Sequence, residues 1–116
     1  MLMSRRRALA AMGGLLALSL TAPAALAQSA EPQAGIVVKI GGIPWFNAME
    51  EGIKKGAGEY KVNAWMVGPT QADAAQQVRA IEDLIARKVN VIGIVPNDSA
   101  ALEPVLGRAR AAGIKV

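Results

Sequence analysis

The 116 residues contain no cysteine and no histidine. Without cysteine no disulfide can restrain the unfolded chain, so folding has to rest on an apolar core. Without either residue there is no thiolate or imidazole to hold zinc, and no Ser–His or Cys–His pair for nucleophilic catalysis. Asp, Glu and Lys are left as acid–base groups, which points away from an enzyme, and no cofactor or metal is expected. Aromatic rings are scarce: two Trp, one Tyr and one Phe. A one-signed charge is missing too. The formal net charge of +4 owes three units to Arg5, Arg6 and Arg7, and elsewhere ten Lys/Arg face nine Asp/Glu. A body near neutrality leaves no electrostatic footprint for nucleic acid or an acidic membrane surface.

What is present begins with a targeting pattern. Ser4-Arg5-Arg6-Arg7 is a basic start. The apolar stretch from Ala8 to about Leu20 is too short to span a bilayer as a helix, and Ala25-Leu26-Ala27 follows Pro23 as a small-x-small site. These three parts predict a signal peptide over 1–27, a mature start at Gln28 and export to the periplasm. The competing readings are a buried N-terminal helix or a membrane anchor, and three arginines at the start would sit badly in a core. Ser4-Arg5-Arg6 with Leu9 half-matches a twin-arginine signal, but Ala8 stands where a bulky aromatic is preferred, which favours the general secretory route.

Residues 28–34 read as a polar, flexible leader, and 35–116 as the folded part. The folded part alternates strand and helix signals. β-Branched or apolar runs predict strands over 36–40, 62–67 and 91–95, with Ile114-Lys115-Val116 starting a fourth. Apolar stripes at helical spacing predict helices over 46–58 (Phe46, Met49, Ile53, Ala57), 74–88 (Val78, Ile81, Leu84, Ile85) and 100–112 (Leu102, Val105, Leu106, Ala109). Asp73 is in position to cap the second helix, with Gln76 in capping-box register, and Gly113 suits the end of the third. The expected fold is an α/β three-layer sandwich, with helices on both faces of a parallel sheet of strand order 2-1-3-4. Ligands of such sheets bind beyond the carboxyl ends of the strands. That singles out the loops Gly41 to Phe46, Gly68 to Asp73, and Pro96 to Ser99. A strand that begins at the last three residues is expected to belong to a partial lobe.

These loops carry a further pattern. Ile43-Pro44-Trp45-Phe46-Asn47-Ala48-Met49-Glu50-Glu51-Gly52 resembles the first loop and helix of type I periplasmic sugar-binding proteins. Val67-Gly68-Pro69-Thr70, Gln76-Gln77, Ile81-Glu82-Asp83-Leu84-Ile85 and Val95-Pro96-Asn97-Asp98 continue the resemblance in order, over Ile36 to Val116. Gly-Pro-Thr and the Asn-Asp pair are similar to the rhamnose-binding and autoinducer-2-binding branch. The resemblance implies the N-terminal lobe of a two-lobed protein that closes on a monosaccharide-like solute. Such a protein delivers its solute to the membrane permease of an ABC importer and, at full length, is expected to be a monomer.

The chemistry of the loops agrees. Sugar rings present C–H faces that pack on aromatic rings, and hydroxyls that need convergent donors and acceptors. Trp45 and Phe46 are candidate stacking rings, although Phe46 also shares the helical stripe of Met49 and Ile53. Asn47 is suited to a ligand hydroxyl or to capping the first helix. Asn97 and Asp98 could reach a polyol or cap the third helix. Lys39, inside a strand, is expected to point to solvent. Ribose-type relatives have asparagine where Ile43 stands, which removes one hydroxyl contact and argues against ribose itself.

Two other classes compete. A repressor's sensor domain shares this fold, but the signal peptide and the lack of a helix-turn-helix segment oppose it. Gly41-Gly42 alone supports a nucleotide-binding enzyme, with neither G-x-G-x-x-G nor a P-loop pattern present. A non-functional remnant of a binding protein is the bland alternative.

Overall fold

The computed structural model describes residues 30–116; the signal-peptide region 1–27 therefore lies outside the described residues. The elements run β1 (Gln33–Val37), α1 (Pro44–Tyr60), β2 (Asn63–Val67), α2 (Ala74–Ala86), β3 (Val91–Ile94) and α3 (Ser99–Ala111). All strand pairs are parallel and the order is β2-β1-β3. Lys115 adds a single parallel bridge to Val91, where a fourth strand beside β3 was expected. The α/β class, the parallel sheet and the central position of β1 are as the sequence implies.

Each helix starts and stops for a local reason. Pro44 opens α1, its fixed φ suited to the first helical position and its missing N–H costing nothing there. Asp73 caps α2, its carboxylate accepting the Ala75 N–H at 2.7 Å. Gln76 does not complete a capping box, because its side chain lies toward the Asp73 carboxylate at 3.5 Å rather than bonding the backbone. Asp98 caps α3 through the Ala101 N–H at 3.1 Å. Gly113 follows the end of α3 at φ +84, a conformation that glycine adopts freely. Lys61 and Lys88 take the same left-handed turn after α1 and α2 with side chains that disfavour it.

The two ends of β1 depart from the expected 36–40. The strand begins at Gln33 because the Asn90 side chain accepts the Gln33 N–H at 2.8 Å while the Asn90 N–H donates to the Gln33 carbonyl at 2.8 Å. Gln33 and Ala34, read from the sequence as the end of the leader, are thus strand residues. At the other end the regular ladder with β3 stops at Val37. Helix α1 begins at Pro44, two residues before the expected start, since the proline initiates it and the apolar stripe does not.

The core lies between the sheet and the pair α2–α3. Ile81, Leu84, Leu102, Val105 and Ala109 are buried against Val37 and Ile92, and Gly35 leaves the space that Leu84 fills. A methyl at Gly35 would stand 2.4 Å from the Leu84 side chain, so any side chain there would force Leu84 to shift. Right-handed crossovers carry α1 to the opposite face. Val38 and Phe46 are buried outside the α2–α3 core cluster.

Candidate functional site

The carboxyl ends of the three strands feed three loops, and hydrogen bonds tie the loops in pairs. The Gly41 N–H donates to the Pro69 carbonyl at 2.9 Å, joining the β1–α1 and β2–α2 loops. Their backbones touch: a methyl at Gly68 would lie 2.6 Å from Gly41 N and Cα, so only glycine permits the approach. The Asn97 side chain donates to the Lys39 carbonyl at 3.0 Å, joining the β3–α3 loop to the end of β1. All three loops picked out by the sequence therefore meet at one edge of the sheet.

Within this edge the candidate residues divide sharply. Trp45 is 78% exposed in the first turn of α1, beside an open apolar recess of about 340 Å³ that it shares with Ala48 and Met49. Among the described residues the indole takes no part in the buried core. Phe46, the next residue, is 6% exposed and packs into the lobe. Asn47 is exposed inside α1, and it does not cap the helix; Ile43 holds that position and makes no side-chain bond. Helix capping is thereby removed as the explanation of Asn47, and its carboxamide is exposed near Trp45 in the sequence of the same turn.

Asn97 and Asp98 sit at the end of β3, and both are already engaged. Asp98 caps α3 with Oδ1, which leaves Oδ2 as an acceptor. Asn97 spends its amide group on the Lys39 carbonyl, which leaves its side-chain oxygen. Lys39 is exposed as expected, but it lies in a bend past the end of β1 and not inside the strand. No group in this edge combines burial with charge. The arrangement offers a flat apolar ring together with neutral and singly acidic hydrogen-bonding groups, which suits an uncharged hydroxylated molecule better than a phosphate.

One residue of the site was not singled out from the sequence. Gln77 is completely buried in α2, where its carboxamide donates to the Val38 carbonyl at 3.0 Å and the Val95 carbonyl at 2.9 Å, and accepts the Asn97 N–H at 2.8 Å. The signal was available: Gln77 precedes Ile81 by four residues and so stands on the buried stripe of the helix, where a polar side chain must find partners.

The periplasmic binding protein domain family matches residues 34–116, nearly all of the described chain. The chain belongs to this family. Among curated relatives of the periplasmic binding protein domain, a D-ribose/D-allose-binding protein of Pseudomonas aeruginosa is 34% identical over 89 residues, covering 74% of this chain and 28% of the relative. Among solved structures, an ABC transporter solute-binding protein from Burkholderia graminis, in complex with D-arabinose, is 33% identical with a TM-score of 0.71. It covers 77% of this chain and 31% of that one. A solute-binding protein from Clostridium phytofermentas with bound L-rhamnose is 32% identical with a TM-score of 0.69, over 72% of this chain and 26% of that one. The chain thus spans about a quarter to a third of the length of these binding proteins. The match over 34–116 also starts within one residue of β1's first pair, in keeping with the earlier strand start.

Proposed function

We propose that this chain forms the N-terminal part of the solute-binding component of an ABC importer, exported to the periplasm, which takes up a monosaccharide or sugar-like molecule between two lobes and performs no chemistry on it. The observation that carries the reading is Trp45, an exposed indole in the first turn of α1 at the carboxyl edge of a parallel sheet. Asn47 in the same helix, and Asn97 and Asp98 in the β3–α3 loop of the same edge, supply hydrogen-bonding groups, and Phe46 is buried next to Trp45 in the chain. The family membership and the sugars named for the similar proteins support the same class of ligand.

Within that class the branch resemblance favours rhamnose or autoinducer-2. Ile43 weighs against ribose, while the name of the Pseudomonas relative weighs toward ribose or allose. The second lobe would close by a hinge motion, contributing the contacts that shut water out. In this reading residues 1–27 are removed on export, and material recovered from the periplasm has an N-terminus at Gln28 or within a few residues of it. A periplasmic protein that still begins at Met1 would contradict the export reading. The ligand class is tested by titration calorimetry of the protein at its full natural length with rhamnose, ribose, allose, arabinose and autoinducer-2. Saturable binding of at least one is expected, and heat from none of them would remove sugar binding from the account.

A further inference from the structure

The rungs between β1 and β3 change character at the ligand edge. A parallel ladder alternates, each N–H of one strand followed two residues on by one of the other. The Val95 N–H donates to the Val37 carbonyl at 2.8 Å, which is the last regular rung. Continued, the ladder would run from the Lys39 N–H to the Val95 carbonyl, and from the Asn97 N–H to the Lys39 carbonyl. The Gln77 side chain takes these places. Its Nε2 donates to the Val95 carbonyl at 2.9 Å, and its Oε1 accepts the Asn97 N–H at 2.8 Å. The second Nε2 hydrogen reaches the Val38 carbonyl at 3.0 Å, and the Lys39 carbonyl is left to the Asn97 side chain at 3.0 Å. A primary carboxamide has a peptide's donor and acceptor, so it can continue the edge of β3 as another strand would. Meanwhile β1 goes on with β2: the Val38 N–H donates to the Val67 carbonyl at 2.9 Å and Gly41 bonds to Pro69.

We infer that Gln77 is a positioning residue for the ligand site: its carboxamide stands in for a strand peptide at the switch point, holds the exits of β1 and β3 apart, and fixes the Asn97–Asp98 turn. Two carbonyls on one side and an N–H on the other leave a single orientation for the amide. An aliphatic side chain in its place would leave the buried Val38 carbonyl, the half-buried Val95 carbonyl and the half-buried Asn97 N–H without this partner. Gln77 is the buried polar residue of the core among the described residues, and all of its bonds lie at the ligand edge. The inference rests on the reading that a ligand binds there.

The test uses the protein at its full natural length, with the sugar found to bind, and two variants. Gln77→Glu presents an ionised carboxylate to two carbonyl oxygens at neutral pH; on protonation it regains one donor and keeps the acceptor for Asn97. Burial and the facing carbonyls hold such a group neutral above the ordinary glutamate range. Gln77→Glu is expected to bind about tenfold to a hundredfold more weakly at pH 7 and to recover on acidification, while the wild type stays flat over the same range. Gln77→Leu, of similar size, loses affinity by a comparable factor at every pH. Hydrogen exchange of the Asn97 amide, relative to wild type at each pH, is the second readout. It should be fast in Gln77→Leu, fast in Gln77→Glu at pH 7, and slow again in acid. If Gln77→Glu unfolds at pH 7, refolding on acidification is expected, and a protein unfolded at both values counts against the inference. Wild-type affinity in Gln77→Glu at pH 7, or slow Asn97 exchange in Gln77→Leu, would overturn it. Should the wild type bind no sugar, the ligand reading fails alone, and the exchange of Asn97 still decides the role of Gln77.

Discussion

The β1–α1 loop and the β3–α3 loop meet at the same edge, yet they are held in different ways. The β3–α3 loop is anchored through the side chains of both Asn97 and Asp98. Asp98 caps its helix, the Asn97 N–H is taken by Gln77, and the Asn97 side chain is bound to Lys39. The β1–α1 loop enters its helix on Pro44 alone, with no side-chain cap, and holds Trp45 and Asn47 in solvent above a buried Phe46. One loop is a fixed wall and the other presents free groups on a proline-set turn. On the proposed reading, in which a cleft closes on a ligand, the division is useful. Prealigned polar groups lose little freedom on binding, and a large ring with few rotamers adds contact area at small entropic cost.

The comparison can be broken most severely at Phe46. As the buried foot of the β1–α1 turn, it should cost about 3–5 kcal/mol of stability when replaced by alanine. Denaturant unfolding of Phe46→Ala measures this, and a loss below about 1 kcal/mol would mean that the turn is not held from beneath. A smaller effect is expected at the anchored loop. Asp98→Ala should lower stability by about 1 kcal/mol through loss of the α3 cap. Asp98→Ser keeps a capping oxygen and should leave stability within about 0.5 kcal/mol of wild type, while affinity falls about tenfold because the shorter hydroxyl replaces the carboxylate. Equal affinity in Asp98→Ser and wild type would reduce Asp98 to a cap and leave the wall without its acidic group.

How far the sequence reached follows from which forces act locally. Helix faces, strand order and the meeting of three loops at one sheet edge were legible because apolar periodicity and the handedness of crossovers express themselves in short stretches. The start of β1 was not, since Gln33 and Ala34 are strand residues only through Asn90, which is 57 residues away along the chain. Trp45 was legible as an unexplained ring in a loop. The buried state of Phe46 was visible in its stripe with Met49 and Ile53, although a stripe alone does not choose between core and ligand. Asn47 suits two roles in the sequence because the apolar stripe begins at Phe46, whereas Pro44 starts the helix earlier and makes Ile43 its cap position. The burial of Gln77 was legible in its stripe with Ile81, but its role was not, because its partners are backbone groups at the ends of two strands, a juxtaposition that only the folded sheet creates.

The central claim is that ligand binds against Trp45 at this edge, and one comparison of affinities tests it most directly. Wild type and Trp45→Ala, both at full natural length, are titrated by calorimetry with the sugar that binds the wild type. Because Trp45 is 78% exposed, its removal should leave unfolding stability within about 0.5 kcal/mol. Loss of a stacked aromatic contact should weaken binding by about 1–3 kcal/mol. An unchanged affinity in Trp45→Ala would contradict the account and place the ligand elsewhere on the protein.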